Sequence, residues 1–272
     1  ASHKFSGKLT SKIVADLNLD KNIFIVTGGA DNACSLLSIN NINNSAVISL
    51  GTSGTIMIPT ERLIIDKVTG IHLMKHTLPE FNYRMGVILS AGSSLNWWQK
   101  ILPNKTISQI IKIAKRANKH EDQVIFLPYL SGERTPHQNP DARGVFFGIN
   151  ASSSSSELTH AVLQGIGFAI KNSLDLLSKD HKISSAIIVG GGAKSNKWSQ
   201  IICDILNLKL VRYEINDGAA LGASYLGKIG LSKDFNLDNH LKRRNENYKV
   251  FKPKLNNHKF YKNVYKNYNN LY

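Results

Sequence analysis

Three turns that contain glycine each directly follow a predicted strand, and this pattern constrains the fold more than any other feature of the sequence. The turns are residues 51–54, 91–94 and 190–193. The first turn separates two apolar runs, 46–50 and 55–58, which is the pattern of a β-hairpin. Each of the other two leads into a segment with the apolar spacing of a helix. A hairpin followed by alternating strands and helices predicts an α/β domain with a mixed sheet.

Other apolar runs extend this prediction. Strands are expected at 22–27, 83–89, 124–127, 186–189 and 209–213, and the first of these is predicted to be buried. A helix is predicted at 107–118. Ser154 and Glu157 have the spacing of a capping box, so a long helix is predicted to begin after Ser154.

Glycine turns of this kind can bind anions. Glycine has no Cβ, so the backbone can approach a ligand closely, and consecutive N–H groups in a turn attract negative charge. A single such turn more often only reverses the chain. Three together, with Asp31 at the end of a further strand, favour a nucleotide bound in a cleft. The sequence contains neither the G-x-x-x-x-G-K-[ST] loop nor the G-x-G-x-x-G fingerprint.

Asp31 is the candidate proton acceptor. It follows the predicted strand at 22–27 and the pair Gly28-Gly29. A carboxylate at a strand end can accept a proton from a hydroxyl group. It is equally compatible with an Asp that only bonds its own backbone in a turn, and the spacing does not choose between the two.

The net charge of +15 suggests a nucleic-acid partner, but its distribution weakens that interpretation. Residues 241–272 hold nine Lys or Arg and one acid, which leaves 25 basic and 18 acidic residues elsewhere. Tyrosines and lysines interleave in this tail and could stack on single strands. The helical spacing of Phe260, Val264 and Tyr268 favours an amphipathic terminal helix instead.

Cysteine content and hydropathy bear on the compartment. Cys34 and Cys203 are too few for a disulfide framework, and a reducing cytoplasm is expected. No apolar run has the length of a membrane span, so no membrane partner is expected.

Four motifs, in order along the chain, resemble those of the FGGY carbohydrate kinase family. They are Gly29-Ala30-Asp31-Asn32-Ala33, residues 49–54, residues 126–137, and Gly190-Gly191-Gly192-Ala193-x-x-Asn196. The family's second signature is similar to Gly144-x-Phe146-x-Gly148-Ile149, seven residues, and then 157–164. The run 131–137 is similar to the xylulokinases within the family.

This resemblance implies roles for particular residues. Asp31, with Asn32 beside it, matches the sugar site, where Asp31 would be the catalytic base. Thr52 matches a phosphate-contacting residue, and Gly92 and Asn96 match positions that contact ATP. Gly192 and Asn196 match residues beside the adenosine. The neighbouring turn residues Gly51, Ser53, Gly191 and Ala193 are included in the expected ATP site. Mg²⁺ is expected to accompany ATP, with ligands that the sequence leaves unknown.

The resemblance also implies a fold and an activity. The fold would be an actin/hexokinase-like (ribonuclease-H-like) ATP-binding domain of a two-lobed sugar kinase. Residues 1–40 would end an otherwise missing N-terminal sugar-binding lobe, 41–240 would form the ATP-binding lobe, and 241–272 a basic segment with a terminal helix. The reaction would be phosphorylation of D-xylulose to D-xylulose 5-phosphate, or of ribulose, gluconate or glycerol.

The chain departs from the family pattern at its start. It begins at Ala1 and has no Asp-x-Gly-Thr loop, so the first lobe is expected to be missing and the chain to be an inactive or weak kinase. Residues 1 to about 40 and the terminal helix are then expected to pack poorly. A homodimer, a lobe supplied in trans and a non-catalytic ATP-binding fragment remain alternatives.

Overall fold

A computed structural model describes residues 1–39, 45–61, 70–117, 122–179, 182–213, 218–232, 234–244 and 247–272. The strands in these ranges are β1 (Phe5–Lys8), β2 (Phe24–Val26), β3 (Ser45–Leu50), β4 (Gly54–Thr60), β5 (His72–Lys75), β6 (Asn82–Ile88), β7 (Ile125–Leu127), β8 (Val145–Phe147), β9 (Ser185–Val189), β10 (Lys209–Tyr213) and β11 (Tyr248–Phe251). The helices are α1 (Ser11–Asp16), α2 (Asp31–Leu37), α3 (Gly92–Ile101), α4 (Ile107–Ile113), α5 (Ser155–Leu177), α6 (Asn196–Leu206), α7 (Gly218–Leu231), α8 (Leu237–Arg244) and α9 (Leu255–Asn269).

Seven strands form the central sheet in the order β11-β10-β9-β3-β4-β6-β5. β3, β9 and β10 run parallel, and the other neighbours are antiparallel, so the predicted mixed sheet is confirmed. In the register of the parallel pair Ser49 lies beside Val189, and Ile88 at the end of β6 lies beside Gly54. This topology brings all three glycine turns to one edge of the sheet.

The larger core lies on one face of the sheet and is organised around α5. The capping box of Ser154 and Glu157 starts this helix as predicted. Gly165 lets the helix approach β7, because a Cβ there would lie 2.2 Å from the carbonyl oxygen of Phe126. α3, α6 and α9 contribute further buried residues, including Trp98, Trp198 and Tyr268.

The opposite face carries α2 and α7. Ala33 and Leu36 of α2 pack with Val47, Tyr83 and Ile187 of the sheet. The expected poor packing is therefore wrong for residues 31–39, because one face of α2 is buried on the sheet. α7 crosses α2 closely, since a Cβ on Gly222 would lie 1.8 Å from the carbonyl oxygen of Cys34.

The segment before α2 is different. β2 covers only part of the predicted strand at 22–27 and pairs with β1 in a separate two-stranded sheet. Phe24 is 45% exposed and Ile25 is 40% exposed, so the prediction of a buried strand was wrong. The apolar residues of this segment predict a strand correctly. Within the described ranges, however, both faces of the two-stranded sheet leave an apolar side chain partly in solvent.

The C-terminal segment belongs to the main fold. β11 extends the sheet by pairing with β10, and α9 buries Tyr261, Val264 and Tyr268 in the larger core. The expectation that this helix exposes its apolar face was wrong. The burial of Tyr261 and Tyr268 removes these two rings from the surface on which single strands could stack, whereas Tyr248 and Tyr272 are exposed. The divisions at residues 40 and 240 stay predictions.

No helix in the described ranges is both long and apolar enough to cross a bilayer.

Candidate functional site

The first two glycine turns are joined by backbone hydrogen bonds. The Gly92 N–H donates to the Gly51 carbonyl oxygen at 2.9 Å, and the N–H groups of Ala91 and Ser93 donate to the Thr52 carbonyl oxygen. A Cβ on Gly92 would lie only 2.5 Å from the Gly51 carbonyl oxygen. Glycine at 92 is therefore required for the start of α3 to rest on the β3–β4 turn.

The third turn packs against the end of β3. Gly190 has a φ of +91°, and a Cβ on it would lie 2.7 Å from the Leu50 carbonyl oxygen. A Cβ on Gly192 would lie 2.7 Å from the Trp198 ring and 2.9 Å from the Leu50 Cβ. Gly192 is thus needed for packing. Gly191 differs, because a Cβ there would have no atom within 4 Å.

The three turns and α4 enclose one cavity of about 690 Å³. Ligand sites in proteins commonly have about 300–1,000 Å³. Of the predicted ATP-site residues, seven line it: Gly51, Thr52, Gly92, Asn96, Gly191, Gly192 and Asn196. Ser53 is exposed at the hairpin tip and Ala193 is buried beneath its turn, and neither is among the lining residues.

The walls of this cavity combine apolar surface with positive charge. Leu95, Ile107, Ile111 and Trp198 supply apolar surface, and three lysines lie on the lining: Lys112, Lys194 and Lys197. The described lining contains no Asp or Glu. A flat apolar group can bind between the walls while a polyanion meets lysines and backbone N–H groups.

α4 is the part of the site that the sequence did not indicate. Its Ile107, Ser108, Ile111 and Lys112 line the cavity together with the glycine turns. The predicted helix at 107–118 is confirmed for 107–113, residues 114–117 are not helical, and residue 118 lies outside the described residues. Ile107 and Ile111 are four residues apart, so the available signal was an apolar stripe, which most helices have.

Neighbouring side chains hold the α6 wall in place. The Trp198 indole N–H donates to the Leu163 carbonyl oxygen at 3.2 Å. Arg212 donates to the Asn196 side-chain oxygen at 3.2 Å and to the Ala193 carbonyl oxygen at 2.7 Å. Arg212 thereby orients a predicted nucleotide-contacting residue, and sequence reasoning had not singled it out.

Residues of the 126–137 motif brace the end of β6, directly before the second glycine turn. The Leu89 N–H donates to Glu133 Oε1 at 3.0 Å, and the Val87 N–H donates to Thr135 Oγ1 at 3.0 Å. Glu133 is 2% exposed, and this burial raises the pKa of its carboxyl group to about 7. The motif therefore supports the site from outside it.

Asp31 does not line the large cavity. It is the first residue of α2, is exposed, and its Oδ1 accepts a hydrogen bond from its neighbour Asn32 at 2.7 Å. Farther along α2, Ser35 and Ser38 line a smaller cavity of about 380 Å³, which shares Gly191 with the larger one. The helix of the predicted base thus reaches the turn of the predicted nucleotide site.

Comparison with known proteins identifies relatives of this arrangement. The sequence model of the FGGY family of carbohydrate kinases, C-terminal domain, matches residues 46–231. A xylulose kinase of Escherichia coli is 38% identical over 216 residues, which cover 78% of this chain and 45% of the relative. A xylulose kinase of Staphylococcus epidermidis is 32% identical over 274 residues, which cover 100% of this chain and 55% of the relative.

A solved structure shows the same fold. The crystal structure of a xyloylose kinase from Brucella ovis is 32% identical, with a TM-score of 0.88, over 100% of this chain and 56% of that chain. This likeness and the sheet order confirm the predicted actin/hexokinase-like fold. The chain spans about half the length of the relatives that it matches.

Proposed function

The chain belongs to the FGGY family of carbohydrate kinases, and from this premise we propose that its large cavity binds ATP for phosphorylation of a sugar hydroxyl. One observation carries the proposal: the three glycine turns and α4 enclose one cavity with lysines and no carboxylate in its described lining. D-xylulose is the proposed substrate and D-xylulose 5-phosphate the product, since xylulose kinases are among its relatives.

The proposed contacts divide the cavity into two parts. The backbone N–H groups of Thr52 and Ser53, with the Thr52 hydroxyl, would donate hydrogen bonds to the phosphates. Gly51 and Gly92, whose own N–H groups bond carbonyl oxygens, would shape the wall beside them. Gly191, Gly192 and Asn196 would hold the nucleoside, with Ala193 beneath them and Asn96 opposite. Phosphoryl transfer depends mainly on such positioning and on neutralised charge.

Mg²⁺ is part of the proposal as the ion that accompanies the phosphates. The Thr52 hydroxyl is an oxygen ligand of the kind that Mg²⁺ prefers. Among the described residues no group of three or more His, Cys, Asp or Glu is placed to hold a metal. Most ligands of the ion would therefore come from the phosphates of ATP rather than from side chains of the described residues.

Asp31 is the proposed general base. The sugar oxygen forms a bond to the γ-phosphorus, the bond from that phosphorus to the oxygen bridging to the β-phosphate breaks, and the hydroxyl proton passes to the Asp31 carboxylate. Its position at the start of α2 supports this role, because α2 extends from Asp31 to the turn that contains Gly191. Asn32 is proposed to contact the same sugar.

The complete activity is proposed for a protein with a further lobe. This chain matches about half of its relatives, and most sugar contacts and closure around the substrates are assigned to the lobe before residue 40. Three arrangements would provide that lobe: a continuous chain, a lobe supplied in trans, or a homodimer. The chain alone is proposed to be a weak kinase of the cytoplasm, with both cysteines free.

Calorimetric titration of ATP into this chain tests the nucleotide site. Gly191→Val should weaken ATP binding by more than about tenfold. Gly191 lines the cavity and a Cβ there meets no protein atom, so the valine side chain would occupy space that the ligand needs. Residue 191 has φ −60° and ψ −40°, which valine adopts, so the fold should persist. Gly227→Val is the matched control, since its Cβ also meets no atom within 4 Å but lies away from the cavity lining.

Two results would contradict the proposal. A wild-type chain that does not bind ATP would remove the nucleotide site. ATP binding without phosphorylation of D-xylulose, ribulose, gluconate or glycerol when the N-terminal lobe is added would leave a non-catalytic ATP-binding module.

A further inference from the structure

Lys197 bridges the two walls of the cavity. Its backbone lies in the first turn of α6, next to Asn196, and its side chain contributes to the cavity lining. Its ammonium group donates a hydrogen bond to the Lys112 carbonyl oxygen at 2.9 Å and a second to the Ala114 carbonyl oxygen. Both acceptors lie at the carboxyl end of α4, where a cation is favoured by the unpaired carbonyls and the helix dipole.

α4 is a short helix with specific supports at both ends. At its start Thr106 and Gln109 form a capping box. Just after its end, the Lys115 N–H donates to the Ser156 carbonyl oxygen at 3.0 Å. The capping box stabilises α4 internally, and the hydrogen bond from Lys115 joins its end to α5. Lys197 joins α4 to α6. Residues of both α4 and α6 line the cavity, so a change in the separation of these helices would change its width.

We propose that Lys197 is a positioning residue for the nucleoside part of the site, which acts by holding α4 at a set distance from α6. This inference rests on the proposed ATP site. The alternative use of a lysine in such a cavity is a direct contact with phosphate. The ammonium group of Lys197 instead bonds two carbonyl oxygens of α4, and burial lowers its pKa. Lys194 directly follows the third glycine turn and lines both cavities, so it is better placed for phosphate.

The two roles predict different ligand dependence. A lysine that binds phosphate affects ATP and leaves adenosine unchanged, because adenosine has no phosphate. A lysine that sets the width of the slot affects ATP and adenosine by the same factor. Lys197→Met keeps a long apolar side chain and removes the ammonium group, so it separates the two cases.

Calorimetry with ATP and with adenosine on this chain is the test. Lys197→Met should weaken both ligands equally, by about three- to tenfold, for the loss of hydrogen bonds from a charged group at a partly exposed site. Lys197→Arg, which can still donate to the same carbonyls, should recover most of the loss. Lys262→Met is the control for charge removal, because Lys262 is exposed on α9 outside the cavity lining, and it should change neither affinity.

Hydrogen exchange on the nucleotide-free chain gives an independent readout. Lys197→Met should speed exchange of the amides of 107–113 relative to wild type, and Lys197→Arg should not. Loss of ATP binding alone, or no change in either affinity or exchange, would overturn the inference. If wild type binds no ATP, the proposed function fails, whereas the exchange of α4 still decides whether Lys197 holds this wall.

Discussion

The unit β1–α1–β2 and the unit β9–α6–β10 contain the same succession of strand, helix and strand, but they bury very different amounts of apolar surface. α1 has no buried residue, whereas α6 buries Trp198, Ile202, Ile205 and others. α6 lies on a seven-stranded sheet, and α1 accompanies a sheet of two strands. A sheet of two strands offers too little surface to bury the apolar side chains of its own strands and of a helix. The amount of apolar surface that a unit buries therefore depends more on the size of the sheet beside it than on its own succession of strand and helix.

Asp31 lies where these two kinds of structure meet. The residues before it form the exposed unit β1–α1–β2, and α2, which it begins, is buried on the main sheet. A residue at such a junction is anchored on one side and accessible on the other. This is the arrangement that a general base needs when its substrate approaches from a separate lobe.

The largest expected effect is on catalysis at this junction. In the complete enzyme, Asp31→Asn should lower sugar phosphorylation by about a hundred- to ten-thousand-fold, because the amide cannot take up the hydroxyl proton. ATP affinity should be nearly unchanged, since Asp31 is outside the cavity lining. Steady-state kinetics with D-xylulose and calorimetry with ATP would measure the two quantities.

Asp20→Asn is the matched control for this substitution. Asp20 lies in the exposed unit, and its Oδ1 accepts a hydrogen bond from the Asn22 N–H at 2.7 Å, the same length as the bond from Asn32 to Asp31. If both carboxylates only stabilised local turns, both substitutions would leave turnover near normal. Near-normal turnover of Asp31→Asn would remove the proposed base.

A smaller effect, on stability, should distinguish the unit β1–α1–β2 from the larger core. Phe168 of α5 is fully buried and Phe24 of β2 is 45% exposed. Phe168→Ala should lower the free energy of unfolding by about 3–5 kcal/mol, because it leaves a cavity in the larger core. Phe24→Ala should cost less than about 1 kcal/mol, because its ring is largely in water already. Denaturant unfolding followed by tryptophan fluorescence measures both, and equal losses would show that β1–α1–β2 is part of the core.

The sequence predicted the elements of the site because their signals are local. The hairpin at 51–54 and the capping box at Ser154 depend on residues a few positions apart, and the strand ends then bring the three turns to one edge. The resemblance predicted Gly192, but it did not predict what that glycine contacts. The structure shows Trp198 and Leu50 there.

What the sequence left open depends on contacts between distant segments. An apolar run at 22–27 has the same pattern whether or not a second layer covers it, so its exposure was not predictable. α4 is a wall of the cavity, and it is bonded to α6 by Lys197, which is more than 80 positions away along the chain from the carbonyls that it bonds. The burial of α9 similarly depends on partners such as His160, whose Nε2 lies 3.1 Å from the Tyr261 hydroxyl oxygen.

An effect smaller than that of Phe168→Ala is the pH dependence that Glu133 gives to the stability of the main fold. Burial raises the pKa of this carboxyl group to about 7, above its value in the unfolded chain. The folded chain therefore binds this proton more tightly than the unfolded chain does. The stability that Glu133 contributes is present in full at acidic pH. It should be lost as the pH rises from about 5 to about 8, by about 1–3 kcal/mol.

Glu133→Gln tests this sign. The amide oxygen can still accept the hydrogen bonds from Leu89 and Arg134, and it has no charge to bury, so the unfolding free energy should become flatter between pH 5 and pH 8. Glu157→Gln is the control, because hydrogen bonds from Ser154 lower the pKa of Glu157, whose contribution is lost only at more acidic pH. Urea unfolding at both pH values measures the slope. If Glu133→Gln leaves the pH dependence of the unfolding free energy unchanged, the Glu133 carboxyl group is not the source of that dependence.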